Sequence, residues 1–329
     1  MKRPFAIVLL VLLVVVGAVG AFAWRTWQTM ETPVLSSGCL VWTGSAEEPP
    51  VWLNGEGQTV EASGWLETQA WMAFRDVPMK PGRFCVDSAE TARSFARKIA
   101  IGGKSEVRVV VPAHRDLGVI AATIARPLQL DSAAIHNALA PDSVRWRIIP
   151  NTYRMYWSTT AEELVARLGR EHDKWWTAER LTQAAAAGMS PHEAITLAAI
   201  VQEEIAVRRE AARVAGLYRN RLAQRMKLQA DPTLKFALGD WNVRRLLNDD
   251  KSVDSPYNTY LHPGLPPGPI RTPEPDIIDA VLRAERHDFL FMCAKPDGSG
   301  EHAFASNYRD HQRNARAYQS HLNTRQIFR

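Results

Sequence analysis

The sequence predicts an α+β protein behind a single N-terminal transmembrane helix, and three observations carry that prediction. Residues 4–24 form one apolar run without a charged side chain. Residues 31–104 are rich in Gly, Pro, Val and Trp, with short alternating apolar stretches. From residue 160 onward, apolar side chains return at steps of three and four. On these grounds the chain divides into a tail (1–4), an anchor (5–24), a small β-rich module (25–104), a β-α-α-β unit (105–150) and a mainly helical domain with a β-containing groove (151–329). At 329 residues, 46% hydrophobic and 23% charged, it is long enough for two or three modest cores.

The apolar run suffices for a helix to cross a bilayer, at ~1.5 Å per residue against a hydrocarbon core of ~30 Å. Lys2 and Arg3 precede it, which favours a cytoplasmic N-terminus and export of everything after Arg25. Ala21-Phe22-Ala23 also fits a cleavage site, so a removed signal peptide is the rival reading. The run exceeds a usual signal core, and the uncleaved anchor is the better fit. Either way the bulk of the chain lies outside the cytoplasm.

The net charge of +5 is mild. Arg208, Arg209, Arg213, Arg219, Arg221 and Arg225 follow one another, but Glu203, Glu204 and Glu210 are interleaved, which argues against nucleic acid as a partner. The three cysteines have no metal-ligand spacing. In an exported chain Cys39 and Cys85 are the most plausible disulfide pair, with unpaired thiols as the alternative.

In the first module, Val41-Trp42, Val51-Trp52-Leu53 and Phe84-Cys85-Val86 read as short strands between turns. A helix is predicted from about Ser88 to Ile99, carrying Ala92, Phe95, Ala96 and Ile99 at helical spacing. The next unit reads strand 106–111, helix 117–125 capped by Asp116, helix 132–139 capped by Asp131, and a returning strand 145–149 ended by Pro150. This order resembles a LysM module, a fold that often binds N-acetylglucosamine-containing glycans; a packing module that binds nothing is the alternative. Residues 161–187 read as one or two amphipathic helices. Their Trp175-Trp176 pair is either a sugar-stacking platform or core.

Ser190-Pro191-His192-Glu193 opens the most informative helix, with an N-cap, a first-turn proline and a capping box. Downstream, Leu197, Ile200, Val201, Val207, Ala211 and Val214 trace one apolar stripe, and Glu204 sits in its middle. A carboxylate on a buried face is costly unless protonated or paired. Desolvation would raise its pKa and suit a general acid. The competing account is a structural ion pair with Arg208, one turn on.

Several blocks in register then bear on Glu204. Ala199-Ile200-Val201-Gln202-Glu203-Glu204, Tyr218-Arg219-Asn220-Arg221-Leu222, Leu228-Gln229-Ala230-Asp231-Pro232-Thr233, Tyr257-Asn258-Thr259-Tyr260 and residues 264–270 resemble the YceG-like endolytic murein transglycosylases. Pro150-Asn151-Thr152-Tyr153 upstream and His302-Ala303-Phe304 with Asn307 and His311 downstream continue the likeness over about 150–317. The resemblance places the family's catalytic residue on Glu204. This sequence departs at Gln202, where the family has Glu, at Ile205, where Thr is usual, and at Asn151, where the family has an acid.

The resemblance implies cleavage of the β-1,4 bond between N-acetylmuramic acid and N-acetylglucosamine without water. Glu204 would protonate the leaving oxygen and then, as carboxylate, take the proton of the muramoyl C6 hydroxyl, leaving a 1,6-anhydro end. Gln229 and Asn258 are candidate substrate amides, Tyr257 and Tyr260 candidate stacking rings, and Asp231 an orienting or second carboxylate. No metal and no cofactor are expected; His262 and His302 lack a paired ligand motif. The implied partners are peptidoglycan strands, the membrane through the anchor, and penicillin-binding proteins or other cell-wall synthases. The implied location is the bacterial inner membrane, single-pass, with a periplasmic catalytic domain. A muramidase using Asp231 to activate water, and an inactive glycan-binding scaffold, are the rival functions.

Overall fold

The computed structural model describes residues 3–31, 33, 38–42, 49–54, 58–62, 64–76, 78–86, 90–100, 105–128, 130–241, 243 and 246–324. The first two residues of the expected tail, and the start of the predicted helix at Ser88, lie outside them. The chain forms two compact units, Met1–Arg108 with Arg154–Thr159 and Val109–Tyr153 with Thr160–Arg329.

The first unit opens with α1 (Arg3–Met30), the one described helix long and apolar enough to cross a membrane. It continues past the apolar run, through Arg25, to Met30. Then come β1 (Gly38–Trp42), β2 (Val51–Leu53), α2 (Trp65–Phe74), β3 (Gly82–Val86) and α3 (Ala92–Ala100). The strands pair antiparallel in the order β2-β1-β3. Cys39 stands directly opposite Cys85 across β1 and β3, and the two form a disulfide. Leu40 and Phe84 point into a core closed by Phe95 and Ile99 of α3, with Trp52 packed on Phe95. The sequence reading of a β-rich module needs correction: α2 adds a second helix. Its apolar residues lie on no single stripe, Leu66 being exposed while Met72 is buried, so periodicity gave no signal.

β4 (Glu106–Val111) and β5 (Asn151–Tyr156) pair as a two-stranded sheet, and the division between the units falls inside both strands. Between them run α4 (Leu117–Leu128), α5 (Ser132–Leu139) and the single turn α6 (Asp142–Arg145). Asp116 accepts the Gly118 N–H at 2.7 Å and Asp131 that of Ala133 at 3.0 Å, so both helices start at the expected caps. The expected returning strand at 145–149 is displaced. The Pro141 carbonyl takes the N–H groups of Val144 and Arg145, winding that segment into a turn, and the strand forms only after Pro150.

The rest of the second unit is α7 (Ala161–Trp175), α8 (Ala178–Ala186), α9 (Pro191–Glu204), α10 (Ala211–Ala223), α11 (Asp231–Leu238), α12 (Pro275–Leu282), a hairpin of β6 (Phe291–Ala294) and β7 (His302–Ala305), and α13 (Tyr308–Thr324). α9 is the central helix: every residue from Ala194 to Val201 is buried, with α8, α10, α11 and α12 around it. It is therefore apolar on all sides, and the one-stripe reading understated its burial. Each of its fully buried Leu, Ile and Val side chains contributes about 1.5–3 kcal/mol. Trp175 and Trp176 belong to this packing. Trp176 is buried with its indole N–H donating to His172 at 3.1 Å, and the Arg180 guanidinium covers Trp175. The sugar-platform alternative is thereby set aside.

Gly216 marks the closest approach in this unit. A Cβ there would stand 2.3 Å from the Glu285 carbonyl oxygen and 2.7 Å from His287 Nε2. Ala normally favours a helix interior by about 1 kcal/mol over Gly. Here Gly216→Ala is expected to destabilise by about 2 kcal/mol through overpacking, measured by urea unfolding. An unchanged or higher midpoint would show that the 285–287 loop yields freely.

Candidate active site

The N-terminus of α9 is fixed locally. Ser190 Oγ accepts the Glu193 N–H, and the Glu193 carboxylate accepts the Ser190 N–H at 2.8 Å. Its C-terminus is set otherwise. The Ile205 N–H still reaches the Val201 carbonyl, but Ile205 is extended (φ −86°, ψ 133°), so the helix stops at Glu204. A one-turn 3-10 helix at 208–210 follows before α10 begins. The continuous stripe through Val207 and Ala211 is thus two helices with a bend. That bend puts Glu204 at a helix end instead of mid-helix.

Glu204 lines a cavity of about 380 Å³. α10 contributes Leu217, Tyr218 and Arg221, the segment entering α11 contributes Leu228, Gln229 and Asp231, and Tyr260 adds a ring. The opposite wall comes from Met292, Cys293 and Ala294 of β6, His302 of β7 and His311 of α13. Burial pushes the Glu204 carboxyl up to about 7, against a lowering hydrogen bond from Tyr218 and with a further rise from the Asp231 charge. The negative end of the α9 dipole works in the same direction as burial. The Tyr218 hydroxyl donates to Glu204 Oε1 at 3.0 Å, and enclosure raises that phenol's own pKa. Arg208 is not its partner: it pairs with Glu274 and Asp276. The structural ion pair lies one residue earlier, where Glu203 meets Arg271 at 2.6 Å. Glu204 is therefore a carboxyl on the cavity lining whose neutral form burial favours well beyond that of a free glutamate.

Neighbouring residues are held rigidly. Arg221 donates to the Leu290 carbonyl at 2.6 Å and the Leu228 carbonyl at 2.8 Å, which ties β6 to the approach of α11. Gln229 occupies the left-handed region (φ 49°), uncommon for a side chain of this kind. The strain is sustained by the Gln229 N–H to the Thr259 carbonyl and the Ala230 N–H to the Thr259 hydroxyl. The Tyr260 hydroxyl donates to Asp231.

Of the five substrate-contact candidates, Gln229, Asp231 and Tyr260 share the cavity with Glu204. Asn258 does not. It is fully buried, with its amide donating to the Lys251 and Val253 carbonyls and accepting the Tyr260 N–H. That commitment makes it a loop brace. Tyr257 packs on Phe236 with ring centroids 4.6 Å apart and does not line the cavity. Sequence reasoning assigned no site role to Tyr218, Arg221 or Cys293, weighed His302 only as a metal ligand, and met His311 only within a family block. Tyr218 and Arg221 lay inside a recognised block, four and seven residues beyond Val214, which is the one signal that pointed to them. Among the described residues, no three or more His, Cys, Asp and Glu side chains are placed to hold a metal ion.

The three departures lie off the cavity lining. Gln202 donates to the Glu274 carboxylate at 3.1 Å and accepts the Glu274 N–H at 2.7 Å, so a glutamate there would face another carboxylate. Ile205 packs on the central core. Asn151 accepts the N–H of Thr152 at the exposed start of β5. A larger cavity of about 1010 Å³ opens beside Gly216, Arg219 and Asn220. Its acids Glu193 and Glu285 are occupied by Ser190 and Arg213.

The YceG-like family profile matches residues 55–317. The chain is similar to the endolytic murein transglycosylase of Bacillus subtilis (strain 168), at 35% identity over 135 residues, which is 41% of this chain and 37% of that protein. It is similar also to the endolytic murein transglycosylase of Streptococcus pneumoniae serotype 2 (strain D39), at 30% identity over 192 residues, 57% of this chain and 34% of that one. The matches thus span little more than a third of those relatives' length. The crystal structure of a yceG-like protein from Listeria monocytogenes superposes with a TM-score of 0.52 at 25% identity, covering 75% of this chain and 89% of that one.

Proposed function

The chain belongs to the YceG-like family, and from that membership we propose that it is an endolytic peptidoglycan lytic transglycosylase with Glu204 as its acid. The relatives named above support the reaction class. The observation that carries the role of Glu204 is a carboxyl with its pKa pushed up to about 7, lining a cavity and in no salt bridge among the described residues. Near neutral pH a substantial share of such a group is protonated and can give its proton to a glycosidic oxygen.

The reaction follows from that proton. Glu204 passes it to the leaving oxygen as the C1–O4 bond breaks. The muramoyl C6 hydroxyl closes onto C1, and the carboxylate left on Glu204 is the sink for the hydroxyl proton. One carboxyl serves both directions, whereas hydrolysis needs a second to activate water. Asp231 is the second carboxyl of the cavity, and it already accepts the Tyr260 hydroxyl. Gln229 and Tyr260, which line the same cavity, are assigned to contact the sugar. We assign Tyr218 to hold the acid in orientation.

Helix α1 would anchor the protein in the inner membrane with its N-terminus in the cytoplasm. The catalytic part would face nascent glycan in the periplasm, within reach of penicillin-binding proteins. Mass spectrometry of sacculi digested with the wild-type exported part tests the reaction. Internal cuts ending in 1,6-anhydromuramoyl groups are expected. Reducing ends would replace the reading with a muramidase, and folded protein that binds glycan without cutting would replace it with a scaffold.

A further inference from the structure

The cavity wall opposite Glu204 carries a second device that the acid's chemistry does not use. Glu210 closes the 3-10 turn after the bend and is 5% exposed. A buried carboxylate must be paired or saturated with donors. Its partner is one residue 92 positions away. The His302 backbone N–H donates to Glu210 Oε1 at 3.0 Å, and Glu210 Oε2 stands 2.9 Å from His302 Nδ1. An ionised carboxylate only accepts, so in the neutral ring this contact selects the tautomer with the hydrogen on Nδ1 and the lone pair on Nε2. Nε2 has no hydrogen bond with a described residue, and His302 lines the Glu204 cavity.

Backbone and ring are thus clamped by one carboxylate, which fixes both tautomer and orientation. A histidine so held on the lining of the cavity, with Nε2 not engaged by a described residue, is suited to receive a proton, and the carboxylate behind it stabilises the resulting imidazolium. The other groups on that cavity do not offer this. Tyr218 and Tyr260 donate to Glu204 and Asp231, and Arg221 is a cation. His311 stacks on Phe291 with its Nδ1 buried and unpartnered, and no carboxylate holds it.

We propose that His302 is a catalytic residue of this cavity, relaying the proton of the attacking sugar hydroxyl, with Glu210 as its positioning residue. The inference rests on the reading of the Glu204 cavity as the glycan-cleaving site. As Glu204 gives its proton to O4 and the C1–O4 bond breaks, O6 bonds to C1 and its proton passes to His302 Nε2. The imidazolium then returns that proton to the Glu204 carboxylate within the same cavity. Atoms and charge close over the cycle without a further reactant.

The test is the rate and product spectrum of His302→Ala and Glu210→Gln against the wild type, with and without added imidazole. His302→Ala is expected to lower kcat by about 10²–10⁴-fold, the range for a lost acid-base group, with KM within a few-fold. Added imidazole should restore part of that rate in His302→Ala and none in Glu204→Gln. The residual product should carry a larger share of reducing ends, because water now competes with an unaimed hydroxyl. Glu210→Gln should fall between the two, since an amide at 210 can donate to Nδ1 and invert the tautomer. A His302→Ala enzyme that melts like the wild type and keeps its rate and anhydro ends would overturn the proposal alone. A rate loss without imidazole rescue and without a product shift would reduce His302 to a structural role, also overturning it. A wild-type enzyme that yields no anhydro ends would remove both this and the functional reading.

Discussion

Glu204→Gln is expected to abolish glycan cleavage while making the protein more stable at alkaline pH. Loss of the acid should cost at least ~10³-fold in kcat, within the usual span for a general acid. The amide keeps the acceptor for the Tyr218 hydroxyl at Oε1, so the fold has no reason to rearrange. The stability effect follows from linkage. In the folded chain the Glu204 carboxyl is raised from 4.5 to about 7. The folded state therefore prefers the neutral form. Its stability is intact below pH ~4.5, is lost as pH rises toward 7, and stays reduced above that. A shift of this size corresponds to about 3 kcal/mol, from roughly 1.4 kcal/mol per pKa unit. The variant should match the wild type near pH 4.5 and exceed it by about 2–3 kcal/mol at pH 8, by denaturant unfolding at the two pH values. Equal stabilities at pH 8 would mean that the carboxylate is solvated in place, and the acid assignment would lose its physical basis.

Arg271→Ala should give the largest loss of stability of any single change considered. Arg271 Nη1 meets Glu203 at 2.6 Å, with side chains only 13% and 9% exposed. It also donates to the Ala113 carbonyl at 2.9 Å, holding the start of the β-α-α-β segment to the end of α9. Removing it leaves Glu203 with Arg115 at 3.8 Å as its remaining cation. An uncompensated buried charge costs about 3–5 kcal/mol. Glu203→Gln in the Arg271→Ala background should recover a large part of that loss, because no buried charge is then left unpaired. A double-mutant cycle by urea unfolding checks both values, and additive effects would count against the buried pair. Because Glu203 precedes Glu204, the single variant should also lower activity in protein that remains folded.

The sequence was most informative where physics is local. Thr160, Ser190 and Asp131 cap their helices within three residues of themselves. An uncharged run long enough to span hydrocarbon specifies α1 whatever follows it. A glutamate among Ile and Val was legible as costly, and so as a candidate acid, before any contact was known. The family blocks added the reaction class.

Where the chain would bend and what would meet at the bend was not legible. Periodicity carried α9 on through Val207 and Ala211, because helical spacing cannot register the extended backbone at Ile205. Alternation at 145–149 suggested a strand, yet the Pro141 carbonyl captured that segment for a turn. Asn258 and Tyr257 sit beside Tyr260 in sequence, but only Tyr260 lines the cavity, since Asn258 spends its amide on the loop that presents Tyr260. His302 and Glu210 are 92 residues apart, and nothing in either neighbourhood announces the other. Caps, turns and periodicity act over a few residues, and those the amino-acid sequence determined by itself. The cavity gathers residues 204, 217, 218, 221, 228, 229, 231, 260, 292–294, 302 and 311. Their meeting is decided by long-range packing around α9, where burial acts on the whole chain at once, and only the tertiary structure holds that outcome.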